Sequence, residues 1–239
     1  MKLSGKVALV TGGNDGIGRE IARQLKAKGA SVIVVGRDTG RLEAAAADGF
    51  ETIAADLATP AGVDAVIAAI DTRPIDLLVN NAGMGAHYLV DEPIDLAEVD
   101  RCVALNLTAP IHLITRLLPA LRARPEAMIV NVTSGLAIAP NARSPVYCAT
   151  KAGLRSFTMA LRAQLAGSAV HVLEALPPVV ETRMTADNPH KKLPASDCAR
   201  QIVAAIEANR AEANVGMTGM LRRAYSVSPA LARRIMLNY

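Results

Sequence analysis

The chain has no tryptophan, and its aromatic content is only 3%. The stacking platforms that hold single-stranded nucleic acid are therefore nearly absent. Three cysteines, Cys102, Cys148 and Cys198, are odd in number and far apart, which excludes a disulfide framework and a C-x-x-C metal site. The histidines are equally scattered, with no H-x-x-x-H spacing, so no metal is expected. No apolar run reaches the roughly 18 residues that span a bilayer, and MKLSGKVALV leads into glycines without a cleavage-site pattern. These absences predict a soluble, cytoplasmic protein with no nucleic-acid or membrane partner.

At 51% hydrophobic and 20% charged residues, the sequence is too apolar to stay unfolded. Its 239 residues are enough for one large domain with a substantial core. The net charge of +4 is unevenly placed: residues 210 to 239 carry five arginines against Glu212 alone. That basic C-terminal segment reads as a solvated face or an assembly contact.

Short Val/Ile/Leu-rich runs alternate with stretches of helical periodicity, which implies a parallel sheet covered on both faces. Strands are expected near 6 to 11, 31 to 36, 51 to 54, 76 to 80, 127 to 133 and 169 to 175, with a seventh at 213 to 217. Helices are expected at about 16 to 28, 39 to 47, 61 to 70, 96 to 122, 147 to 166 and 196 to 209. Right-handed crossovers then wind the sheet both ways from its first strand and open a crevice at the strands' carboxyl ends. The fold class is α/β, a three-layer doubly wound arrangement in a single domain spanning 1–239. Residues 178–195 are irregular and read as a substrate lid.

Thr11-Gly12-Gly13-Asn14-Asp15-Gly16-Ile17-Gly18 joins the first strand to the first helix. Backbone without side chains lets a pyrophosphate approach closely, and the helix's free N–H groups and positive end stabilise its charge. A tight strand-to-helix turn is the plainer reading of glycines alone. Tyr147 and Lys151 are spaced i, i+4, so both project from one helix face. An ammonium beside a phenol favours the phenolate, which predicts a lowered Tyr147 pKa and a usable proton donor and acceptor. Ser134 and Thr133 end the fifth strand, and alternation lets only one hydroxyl face the crevice. Asn106 lies in an apolar helical stretch, where it either braces backbone or orders a water.

The T-G-x-x-x-G-x-G spacing, Asn80-Asn81-Ala82-Gly83, Asn106, Ser134 and Tyr147-x-x-x-Lys151 occur in the order that resembles the short-chain dehydrogenase/reductase family. The segments IVNVTSGLAIAP, PVYCATKAGL and LPPVVETRM resemble its DltE-like branch. The resemblance covers essentially the whole chain and implies a Rossmann fold and an NAD(P)-dependent oxidoreductase acting on a carbonyl or secondary alcohol. It implies Asn106, Ser134, Tyr147 and Lys151 as the catalytic set. It implies cofactor contacts from Gly12, Asn14, Asp15, Gly16, Ile17, Gly18, Arg37, Asp56, Leu57, Asn80, Ala82, Gly83, Tyr147, Lys151, Pro177 and Thr182. NAD-preferring relatives commonly carry an acid where this chain has Gly36, and Arg37 can pair with a 2′-phosphate, so NADP is favoured over NAD. Asp15 and Asp38 pull the other way. Leu136, Ile138, Arg143, Met184 and the lid suggest a mainly apolar substrate. A homodimer or homotetramer through helices 96–122 and 147–166 is expected. The alternative function is a catalytically silent dinucleotide-binding sensor or scaffold.

Overall fold

The computed structural model describes residues 1–238; Tyr239, the last residue of the basic C-terminal segment, lies outside them. Seven parallel strands are ordered β3-β2-β1-β4-β5-β6-β7. They are β1 (Val7–Thr11), β2 (Ser31–Gly36), β3 (Glu51–Ala54), β4 (Leu77–Asn80), β5 (Ala127–Val132), β6 (Val170–Leu176) and β7 (Glu212–Asn214). The order reverses between β1 and β4, so the crevice opens above those two strands.

Each face of the sheet carries its own apolar layer. Ala8, Val10, Val34, Val130 and Leu173 pack with Ile21 and Leu25 of α1 (Gly16–Ala27) and Ile202 and Ile206 of α7 (Ala195–Glu207). Leu9, Ile33, Leu78, Ile129 and Val172 pack against α3 (Pro60–Ile70), α5 (Ala109–Arg122) and α6 (Pro145–Gln164). Both faces are buried, which is why the strands read as continuous apolar runs. Helix starts are set by Asp15, by Asp38 before α2 (Thr39–Ala47), and by Thr59, each of whose side chains accepts an amide hydrogen of the first turn.

Two expected elements differ. The helix expected over 96–122 is α4 (Leu96–Val103), a π turn (Ala104–Thr108) and α5. Pro110 has no N–H to give the carbonyl four residues back, so the ladder widens and the Ala109 amide bonds Ala104 instead. This stretch is long and apolar enough to cross a membrane by composition, but Leu113, Ile114, Leu117 and Leu121 are buried against the sheet. The C-terminal segment, where no helix was expected, folds into α8 (Thr218–Val227) and α9 (Pro229–Leu237). Its apolar side chains, among them Met220, Val227, Leu231 and Ile235, stay largely exposed, so no buried stripe marked these helices.

Asp76 ties three elements together at the end of the sheet opposite the crevice. Its carboxylate, with 1% side-chain exposure, accepts from the Val7 amide at 2.9 Å and from Arg124 Nε at 2.8 Å. Burial opposes its charge, but the Val7 amide, Arg124 and Lys6 outweigh it and hold the carboxyl below its usual range. A depressed carboxyl pKa stabilises above the unfolded value of about 4, and that stability is lost as pH falls through the native value. Asp76→Asn is expected to cost about 1–3 kcal/mol in urea unfolding at pH 7. The gap to wild type should shrink as pH falls below the usual carboxylate range and through the depressed native value, where the wild-type side chain becomes neutral too.

Candidate active site

A cleft of about 500 Å³ opens at the carboxyl ends of the central strands. Its floor is the loop from β1 to α1. Thr11 Oγ1 accepts from the amides of Asn81 and Ala82, both at 3.0 Å, and Asn81 Nδ2 reaches back to the Thr11 carbonyl at 3.1 Å. The ends of β1 and β4 are thus clamped together. A Cβ on Gly18 would lie 2.3 Å from the Gly12 carbonyl oxygen, so only glycine lets α1 start this close to the strand. Gly12, Asn14, Asp15, Gly16 and Ile17 line the cleft, whereas Gly18 packs behind them. The glycines therefore do more than close a turn: they present the start of a helix to an open cavity.

Across the cleft stand Ser134, Tyr147 and Lys151. Ser134 follows β5 and accepts the Leu136 amide at 3.1 Å, which starts the short turn Gly135–Ala137. Thr133 also borders the cleft but points its hydroxyl to Glu174 at 2.8 Å, so of the two it is the Ser134 hydroxyl that meets Tyr147. Lys151 Nζ donates to the Val132 carbonyl at 2.8 Å and lies 5.7 Å from the centre of the Tyr147 ring.

The expected lowering of the Tyr147 pKa is not found. Burial pushes the phenol up to about 12, and hydrogen bonding with Ser134 offsets this only in part. Burial also pushes Lys151 down to about 8. The amine is bonded to a main-chain carbonyl and sits over the ring, so desolvation outweighs its attraction for a phenolate.

Asn106 is fully buried within the π turn and does not reach the cleft surface. Its amide donates to the Met84 carbonyl at 2.8 Å and Thr150 Oγ1 at 3.1 Å and accepts the Met84 amide at 2.9 Å. Of its two readings, bracing of backbone is what its contacts do. Asn80 is also buried in the sheet, donating to Asn131 Oδ1 at 2.9 Å, and its side chain is not brought to the cavity as expected. Its neighbour Asn81 is.

At the far end Arg37, Asp38, Asp56 and Leu57 line the cleft. Arg101 bonds Asp56 at 2.6 Å. Burial resists ionisation of Asp56, but Arg101, the Ala58 amide and the charge of Arg37 hold its carboxyl below the usual range. A Cβ on Gly36 would fall 2.4 Å from Asn14 Nδ2, so any side chain here would have to displace that of Asn14. Arg41 was missed in the sequence reading. It lines the same corner and pairs with Asp38 at 3.0 Å and Asp15 at 3.6 Å. The one signal for it was a cation three residues after a helix-capping Asp.

Ala82, Gly83, Pro177 and Thr182 complete the lining. The first part of the segment 178–195 borders the cleft through Pro178, Val180, Thr182, Arg183, Met184 and Thr185; the segment is closed on itself by the Val180–Leu193 bridge and tied to the α1 cap by an Arg183–Asp15 ion pair at 3.2 Å. Of the residues expected on the substrate side, Met184 borders the cavity, while Leu136, Ile138 and Arg143 do not; Met84, Leu105 and Val180 do so instead.

The family model for short chain dehydrogenase matches residues 6–193. The uncharacterized oxidoreductase DltE of Bacillus subtilis (strain 168) is 41% identical over 187 residues, covering 76% of this chain and 74% of that protein. A short chain dehydrogenase from Burkholderia cenocepacia, solved with NADP, superposes with a TM-score of 0.89 at 26% identity over 99% of both chains. The 3-ketoacyl-(acyl-carrier-protein) reductase of Brucella melitensis, solved with NADH, gives a TM-score of 0.80 at 31% identity over 88% of this chain and 96% of that one.

The amine of Lys151 should titrate near pH 8, well below the ordinary lysine value of 10.5. ¹³Cε NMR of lysine-labelled protein, with the signal assigned by its loss in Lys151→Met, measures this directly. Because the depressed amine binds fewer protons when folded, its contribution to stability should rise with pH from about 8 to about 10.5 and be missing in the variant. A midpoint above 10 would contradict the burial account.

Proposed function

Since the chain belongs to the short chain dehydrogenase family and is an NAD(P)-dependent oxidoreductase, we propose that Ser134, Tyr147 and Lys151 form its catalytic set. The observation that carries this reading is that all three border the same cleft as the glycine loop.

The residues present fit a nicotinamide dinucleotide. The loop amides and the α1 N-terminus suit a pyrophosphate, and Asp56 and Leu57 suit the adenine end. Arg37 and Arg41 suit a 2′-phosphate, while Asp15 and Asp38 are already paired with Arg41 and Arg183. This charge balance supports NADP over NAD, as does the NADP complex of the Burkholderia relative; the Brucella reductase with NADH argues for the converse. When bound, the dinucleotide supplies or accepts the hydride.

The protein's own part is proton placement. Ser134 holds the substrate oxygen through its hydroxyl. A phenol held near 12 stays protonated at neutral pH, so Tyr147 donates its proton to the oxygen of a carbonyl being reduced. Lys151 has two N–H groups beyond the one bonded to Val132, free for the phenol oxygen and a ribose hydroxyl. Asn106 supports this set by holding Met84 against α6.

Met84, Leu105, Val180 and Met184 favour a mainly apolar carbonyl or secondary alcohol as substrate, with 178–195 as its lid. Exposed Val103 and Met159 support pairing of the α4–α5 and α6 faces into a homodimer or homotetramer. Buried, unpaired thiols fit a cytoplasmic location.

Tyr147→Phe is expected to lower turnover of any reduced carbonyl by about 10²–10⁴-fold while NADPH affinity is retained. Undiminished turnover would remove the proposed acid. Arg37→Ala and Arg41→Ala should each weaken NADPH binding by about tenfold or more in fluorescence titration and leave NADH nearly unchanged. Equal losses for both dinucleotides would remove the 2′-phosphate argument.

A further inference from the structure

The catalytic helix α6 rests on the sheet through polar bonds that no part of the chemistry above uses. The strongest of them centres on Glu174, in the middle of β6 and with no side-chain exposure. One carboxylate oxygen accepts from Thr133 Oγ1 at 2.8 Å, and the other from Arg155 Nη1 at 2.7 Å. Thr133 immediately precedes Ser134. Arg155 lies one helical turn beyond Lys151, which is itself one turn beyond Tyr147. A single buried side chain thus connects the strand end that carries the serine to the helix that carries the phenol and the amine.

This arrangement is costly and directional. A carboxylate in the interior of a sheet needs full hydrogen bonding to be tolerated, and an apolar side chain would serve stability as well or better. Apolar contact, however, leaves a helix free to slide and turn over a sheet by fractions of an ångström. Two fixed carboxylate oxygens do not. Arg155 is held from its other side by Glu212 of β7 at 3.5 Å, and Glu212 is in turn paired with Arg222 of α8 at 3.4 Å. The chain of charges therefore runs from the cleft wall to the C-terminal hairpin.

We propose that Glu174, acting through Thr133 and Arg155, is a positioning residue that sets the register of α6 against the end of β5 and so the alignment of Tyr147 with Ser134. The proposal rests on the assignment of those two residues as the reacting pair. Displacement of a proton donor by a fraction of an ångström lowers turnover far more than it loosens the dinucleotide, because apart from the contacts of Tyr147 and Lys151 the dinucleotide's contacts lie on elements other than α6.

The test compares Glu174→Gln, Thr133→Val, Arg155→Lys and Arg155→Met with wild type and Tyr147→Phe. Two readouts are used: kcat and NADPH KM on the best-reduced member of a panel of aliphatic and aryl ketones, and the ¹³Cζ signal of Tyr147 in tyrosine-labelled protein, assigned by its loss in Tyr147→Phe. Glu174→Gln should lower kcat by about tenfold or more with the NADPH KM within about twofold, and should move the Tyr147 signal. Thr133→Val, which keeps volume and cuts the strand-side bond together with the longer one to the Ala175 carbonyl at 3.2 Å, should do the same to a smaller extent. Arg155→Lys should retain more activity than Arg155→Met. If Glu174→Gln does not fold, Thr133→Val decides: an unmoved Tyr147 signal with kcat within about twofold of wild type overturns the proposal. Parallel loss of kcat and NADPH affinity in both variants also overturns it, since that is what general loosening would produce. An inactive Tyr147→Phe beside an unaffected Glu174→Gln sinks the positioning role alone. An active Tyr147→Phe sinks the reading of the site instead.

Discussion

The amine of Lys151 gives a hydrogen bond to the carbonyl of Val132, the last residue of β5, from a position almost out of reach of water. That bond joins α6, which carries Tyr147 and Lys151, to the strand whose continuation carries Ser134. It is made where a buried cation is expensive, and the expense appears as an amine driven down to about 8. The glycine loop, the strand ends and α6 could each form elsewhere in an α/β protein. Their convergence on one cavity depends on this contact and on its neighbours, Asn131 to Thr158 at 2.9 Å and Glu174 to Arg155.

The same burial that makes these bonds strong changes what the phenol can do. In water a nearby ammonium would favour phenolate. Inside this cleft, desolvation dominates and leaves a firmly protonated Tyr147. Such a group is suited to donating a proton to a developing alkoxide. Accepting one in the reverse direction requires added positive charge or hydrogen bonding near the phenol oxygen. The balance between the two directions thus lies in what surrounds that oxygen more than in the identity of the residue.

The opposite end of the cleft is governed by crowding and by charge pairing. At Gly36 the Asn14 side chain occupies the space a side chain would need, and no acid stands at this end of the strand. Arg41 pairs with both carboxylates that the linear sequence set against a phosphate, its one charge offsetting half of theirs. Asp15 also meets Arg183 of the segment 178–195, so the cap of α1 and that segment share one ion-pair cluster. These pairs are exposed enough that their worth is modest in energy and larger in placement.

Whatever depends on neighbours along the chain was legible from the residues: the alternation of apolar runs and helical stretches, the glycines at the first turn, the one-turn spacing of Tyr147 and Lys151, and Ser134 at a strand's end. Helix and strand periods, caps and turns are short-range properties, so composition within a few residues decides them. What only the folded chain decided concerns pairs distant in sequence. Asn80 turned into the sheet and Asn81 to the cleft; Arg41 joined Asp15; Glu174 met Thr133 and Arg155. The phenol's proton affinity belongs to this second group. Burial and charge act through space, and the distances over which they act exist only once strands and helices have packed.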